Sequence, residues 1–168
     1  MDKTKWQFFW FDIKDKTKSP FNHPEFLGYF FLAIVLTGSL GVTYTILTEW
    51  GYVKSLNKIP SSIATYFMTL MAVGVLDINL SEKWKQPRII YVYSLIAGFM
   101  GIVLLVFSNL LTGISAYFFS FSGTLLAWYI WWLANADNEK LTSKIKPDSA
   151  TGGDPYKNLP GSINNYRI

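Results

Sequence analysis

The chain has 168 residues, of which 51% are hydrophobic, 18% aromatic and only 15% charged, and its mean hydropathy is +0.23. That balance argues against an ordinary water-soluble domain and makes a membrane protein the first class to test. Cysteine is absent, which excludes a disulfide framework and a thiolate metal site, and no cofactor is expected.

Residues 1–19 open the chain with "KWQFFWFDIKDKTK", where Trp6, Phe9, Trp10 and Ile13 recur at helical spacing between lysines. Such a face predicts an amphipathic helix lying in the headgroup plane, where aromatic rings and cationic stems are both favoured. An aromatic dock for a partner is the alternative. Acidic residues accompany the lysines and no small-residue cleavage site precedes Pro20, so a signal peptide is not expected. "SPFNHPEF" then breaks the helix with two prolines. His23, the single histidine, reads as a loop residue, because one imidazole without a second ligand does not make a metal site.

Four uncharged or nearly uncharged runs follow, at about 26–48, 59–80, 89–111 and 114–134. Each approaches the roughly 20 residues needed to cross about 30 Å of hydrocarbon. The sequence therefore predicts an all-α membrane protein, with residues 20–134 forming a four-transmembrane-helix bundle. Only "NLLTG" separates the last two spans, so they form a tight antiparallel hairpin. Lys3, Lys5, Lys14, Lys16 and Lys18 precede the first span, Lys83, Lys85 and Arg88 separate the second and third, and five further cations follow the fourth. The opposite side receives Lys54 and Lys58. Positive residues accumulate on cytoplasmic flanks, so both termini are predicted in the cytoplasm, most simply at a bacterial inner membrane. The net charge of +4 then follows from topology, and direct nucleic-acid binding is not expected.

Contact faces between membrane helices carry small and hydroxyl residues that permit close approach. Ala33, Thr37, Gly41 and Thr45 mark the first span, Thr65 and Thr69 the second, Gly98 and Gly101 the third, and Ser120 and Thr124 the fourth. These positions suit helix packing and homo-oligomerisation; lining of a water-filled pore is the competing use. "WYIWWL", with Trp128, Trp131 and Trp132, reads as an aromatic belt anchoring the fourth span in membrane lipid. The polar stretch 135–168 reads as a cytoplasmic tail without its own core, in which Tyr156 and Tyr166 are candidate docking residues.

Asp77 is the one carboxylate inside a span. An aspartate at the bilayer centre costs about 2.5–3.5 kcal/mol. At about 1.5 Å per residue, however, Asp77 falls near the cytoplasmic end of its helix. It is read as a rim latch toward Lys83, Lys85 or Arg88, or toward a neighbouring subunit. No intramembrane histidine, paired aspartates or nucleophile elbow accompanies it, so the chain is not expected to be an enzyme.

With "IPSSIATYFMTLMAVGVLDINLSEKW" as its most distinctive stretch, the short four-span plan with cytoplasmic ends resembles KwaA, the membrane subunit family of Kiwa anti-phage defence systems. The resemblance is one of layout and covers the whole chain. It implies a membrane sensor that assembles with itself and recruits a cytosolic, DNA-binding protein partner that carries the effector activity. A small channel or pore-forming effector, or a transporter accessory subunit, fits the same layout.

Overall fold

The computed structural model describes residues 3–49, 58–81, 83–84, 87–138 and 141–142. Lys85, residues 50–57 and the residues from 143 onward, with Tyr156 and Tyr166, lie outside the described residues. Every regular element among those described is helical. Helix α1, Lys3–Lys18, leads through a single turn, Ser19–Asn22, in which Pro20 takes an opening position. Pro24 likewise opens the next helix, where the absent N–H would have lacked a partner anyway.

Four long helices follow: α2, Pro24–Glu49; α3, Lys58–Leu80; α4, Pro87–Leu110; and α5, Ile114–Asn135. The first three, of 26, 23 and 24 residues, are long and apolar enough to cross a membrane. Helix α5 has 22 residues, none of them charged, with hydroxyl and indole groups along it. Only residues 111–113 join α4 to α5, and Gly113 holds φ +63° there, a left-handed conformation that a side chain disfavours.

The helices alternate in direction. At the end remote from α1, Glu49 and Lys58 form a 2.5 Å ion pair between α2 and α3. At that same end Ser120 of α5 shares a buried hydrogen bond with Ser108 of α4 and donates to the Pro60 carbonyl of α3 at 3.0 Å. Near the α1 end, Asn79 of α3 donates to Ser94 of α4 at 3.1 Å.

The core lies chiefly between the parallel helices α3 and α5. Ala64, Phe67, Met71 and Ile78 are buried against a set that includes Ala127, Ile130 and Leu133. Two glycines make the approach possible. A Cβ added at Gly123 would lie 2.6 Å from the Phe67 ring, and one added at Gly74 would lie 3.1 Å from the Trp131 backbone nitrogen. Helix contact of this kind is the usual means of holding membrane helices together, since lipid is as apolar as leucine.

Helix α2 is seated unevenly. Its first turns bring Phe26 and Phe30 against the Trp132 ring, with centroids 4.9 and 5.2 Å away, whereas Leu40–Glu49 contains no buried residue. Between these parts, Phe30–Thr37 is wound as a π-helix. Gly123→Val is expected to overpack the α3–α5 contact and lower stability by about 1–3 kcal/mol. Gly28→Val, where an added Cβ meets nothing within 4 Å, should leave the melting temperature in detergent close to that of the parent. Equal shifts for the two variants would contradict the close-contact account.

Candidate functional site

Besides the Ser120 and Asn79 links, two further polar centres join the helices among the described residues. The first sits between the long helices and starts from the π-helical segment. Widening the helix sends the Gly38 amide to Ala33 at 2.9 Å and the Ser39 amide to Val35 at 3.3 Å, so neither of these amides serves the Ile34 carbonyl. Tyr66 of α3 does, donating its hydroxyl at 2.7 Å. Trp128 of α5 in turn donates its indole N–H to the Tyr66 oxygen at 2.9 Å. A bare carbonyl in hydrocarbon is costly, and this chain of two hydrogen bonds ties α2, α3 and α5 at one level. Gly38 leaves room for it: an added Cβ would press on the Ile34 carbonyl and reach within 3.0 Å of the Tyr66 ring.

The second centre, at the α1 end, is the candidate functional site. Lys16 of α1 forms an ion pair with Asp137, just beyond α5, the two side chains being 6% and 31% exposed. The Lys16 ammonium also lies over the Trp84 ring, 4.1 Å from its centroid, where the π face is attractive to a cation. Lys83 donates to the Asp137 backbone carbonyl at 3.0 Å. Trp132 donates its indole N–H to the Thr17 carbonyl at 3.2 Å, and the hydroxyls of Thr17 and Tyr129 are 3.3 Å apart. Helix α1, the α3–α4 connection and the end of α5 are thereby clasped together around Asp137.

The expected rim residues are placed differently. Asp77 is exposed on the last turn of α3, Lys83 serves the Asp137 main chain, and Arg88 is exposed on the first turn of α4. The clasp is built by Lys16 and Asp137. Sequence reading passed over both, because Lys16 is one of five lysines in α1 and nothing local distinguishes it from Lys14 or Lys18.

The expected aromatic anchors also need correction. Phe9 is 3% exposed, and Trp131 and Trp132 are 5% and 9% exposed, so they are interior residues in this chain. Trp6, Ile13 and Trp128 are half-buried and pack on the core. Of the expected set only Trp10 faces outward, joined by Phe8 and Phe11 at 54% and 62% exposure. The helical period in α1 holds, but its face meets the bundle: a Phe9 ring stacks on Tyr93 of α4 with centroids 5.0 Å apart.

Among the small residues, Ser120 and Thr124 are buried, Gly101 is buried against Met71, Gly98 is half-buried beside Val75, and Thr45 reaches Ser62 at 3.1 Å. Ala33 is half-buried, whereas Thr37, Gly41, Thr65 and Thr69 face outward. The outward threonines bond their own helix, as Thr69 does to the Thr65 carbonyl at 2.9 Å. Sequence reading missed Gly74, Gly123 and Tyr66; the glycines were visible only as more small residues, and Tyr66 carried no signal of its own. No family model, curated protein or solved structure matches the chain.

Tyr66→Phe removes the donor to the Ile34 carbonyl and is expected to lower stability by about 1 kcal/mol, the usual size of a hydrogen bond between membrane helices. At the clasp, Asp137→Asn leaves Lys16 buried without its counter-charge. A loss of about 2 kcal/mol is expected, reduced from the fully buried case because Asp137 is partly exposed. Combining it with Lys16→Met should restore part of that loss in a double-mutant cycle of thermal melts. Simple additivity would show that the pair is not coupled.

Proposed function

We propose that the chain is a four-span integral membrane protein of the bacterial inner membrane, with cytoplasmic termini and α1 lying in the headgroup plane. It acts as a non-enzymatic sensor and scaffold, self-assembling and recruiting a cytosolic DNA-binding partner of an anti-phage defence complex. The observation that carries the membrane assignment is an inverted surface. Large apolar side chains face outward along all the long helices: Leu36 and Leu47 on α2, Val73 and Leu76 on α3, Leu95 and Phe99 on α4. Helix α5 has the same stripe in Phe118, Phe121 and Leu125, which supports its role as the fourth span. Exposed apolar surface on this scale is foreign to soluble monomers. Apart from Asp77, the acidic and basic residues of the long helices stand in their terminal turns.

Self-assembly is supported by the outward small residues. Gly38, Gly41, Ser62, Thr65 and Thr69 line a groove of about 320 Å³ between α2 and α3, a surface on which another helix can pack closely. The filled interior, with Phe67, Met71 and Trp131 buried, favours a scaffold over a conduit through a single bundle. The defence role rests on the resemblance in layout to the Kiwa membrane subunit, and the clasp at Asp137 offers a rigid surface for a cytosolic partner.

The absence of cysteine makes single-cysteine labelling direct. In intact cells a membrane-impermeant maleimide should label Thr112→Cys, while Ser81→Cys and Asn138→Cys should react only after lysis. Labelling of Asn138→Cys in intact cells would show that α5 does not span. Gly41→Leu should shift the native mass toward a single chain, and Lys83→Glu should abolish co-purification of the cytosolic partner. Ion flux from the purified protein alone in liposomes would overturn the scaffold reading in favour of a channel.

A further inference from the structure

Helix α1 roofs an apolar cleft. Its floor is formed by Ile78, Ile90, Ala97 and Ile130 from α3, α4 and α5, and its mouth by Trp10, Tyr93 and Tyr129. Ile78, Ile90 and Ile130 are buried, whereas the three mouth aromatics are 54%, 38% and 41% exposed, so the cleft opens outward between aromatic rings. Its volume is about 200 Å³. Sites that enclose a whole small molecule span roughly 300–1,000 Å³, so this cleft suits a slender apolar chain better than a compact ligand.

The position of the cleft decides what kind of chain. Helix α1 is separated from the first turn of α2 by only a short turn and His23, so its height is fixed at the end of a membrane-spanning helix. The mouth therefore lies at the boundary between headgroups and hydrocarbon, where the indole N–H of Trp10 and the phenols of Tyr93 and Tyr129 suit ester and phosphate oxygens. Lys14 is exposed one helical turn from Trp10, on the same side of α1. The helix as a whole carries five lysines and two aspartates.

We infer that the cleft beneath α1 is a binding site for one acyl chain of an anionic phospholipid, with the phosphate held at the Trp10, Tyr93 and Lys14 edge. The inference rests on the membrane reading above and names a ligand for it. The chain enters between the three aromatic residues and lies on the Ile90 and Ala97 surface of α4, while the headgroup stays outside beside Lys14. The cleft is a property of the folded clasp, because Phe9 and Ile13 of α1 complete its wall.

Native mass spectrometry of the full chain, released from detergent with added phosphatidylglycerol or phosphatidylcholine, tests this. One phosphatidylglycerol per chain is expected to remain bound, at about a fivefold advantage over phosphatidylcholine for one lysine near the phosphate. Lys14→Glu should erase that advantage while leaving weak binding of both lipids. Ala97→Leu, which fills the floor, should reduce both lipids together without lowering the melting temperature.

Equal retention of the two lipids by the parent protein, or unchanged binding in Ala97→Leu, would overturn the site. So would an Ala97→Leu variant that loses self-association instead of lipid, since a second copy would then be the occupant. A chain that stays in solution without detergent would instead refute the membrane reading itself.

Discussion

Inside hydrocarbon there is no water to pair a peptide group, and on the membrane reading proposed above this constraint orders the structure. The chain meets it with helices wherever it runs long and apolar. Where the helix pattern itself changes, at Phe30–Thr37, the Ile34 carbonyl has to be served from outside α2. Tyr66 supplies the proton and Trp128 then satisfies the tyrosine oxygen. One local change of winding in α2 thus dictates a hydroxyl on α3 and an indole on α5, all at a single level. The same constraint explains the outward threonines, which turn back to their own helix carbonyls. Among the described residues no buried side-chain nitrogen or oxygen lacks a partner.

Packing in the bundle centres on one tight axis. Helices α3 and α5 meet through Gly74 and Gly123, where a β-carbon would collide with the opposite helix or ring. Helix α2 joins this axis by its first half, through Phe26 and Phe30. Beyond the π-helical segment no residue of Leu40–Glu49 is buried, and its polar ties to α3 include Thr45 to Ser62 at 3.1 Å and the Glu49–Lys58 pair at the helix end. An exposed pair of that kind contributes about 1 kcal/mol at most. The second half of α2 keeps a largely uncovered surface, with grooves on both sides.

Much of this plan was legible in the sequence because charge and length are crude, robust signals. The long helices appear where uncharged runs predict them, and the three-residue turn before α5 lies within "NLLTG". What the pattern could not carry was the identity of the neighbour. The spacing of Trp6, Phe9 and Ile13 announces an apolar face but says nothing of whether lipid or protein covers it, and here protein does. Trp131 and Trp132 sit at a helix end, as belt residues do, yet they face α2. The π-helical segment left no trace at all, since neither proline nor an embedded charge marks Phe30–Thr37. Thr37 and Gly41 look like packing residues from sequence and lie uncovered in the single chain, a difference that a one-chain reading cannot anticipate.

The lysines of α1 show how finely that division is drawn. Lys14 and Lys16 are two residues apart, which on a helix turns them to different sides. Lys16 is buried between Asp137 and the Trp84 ring, whereas Lys14 faces outward. Attraction of one lysine to an anionic membrane surface is worth about 1 kcal/mol, and loss of the partly exposed Lys16–Asp137 pair about twice that. On the membrane reading proposed above, the two holds on α1 are of similar size and act on different faces of the same helix. Trp132 also donates to the Thr17 carbonyl, so α1 is tied to the end of α5 at two points. The seat of α1 and the end of α5 are therefore joined through the Asp137 clasp.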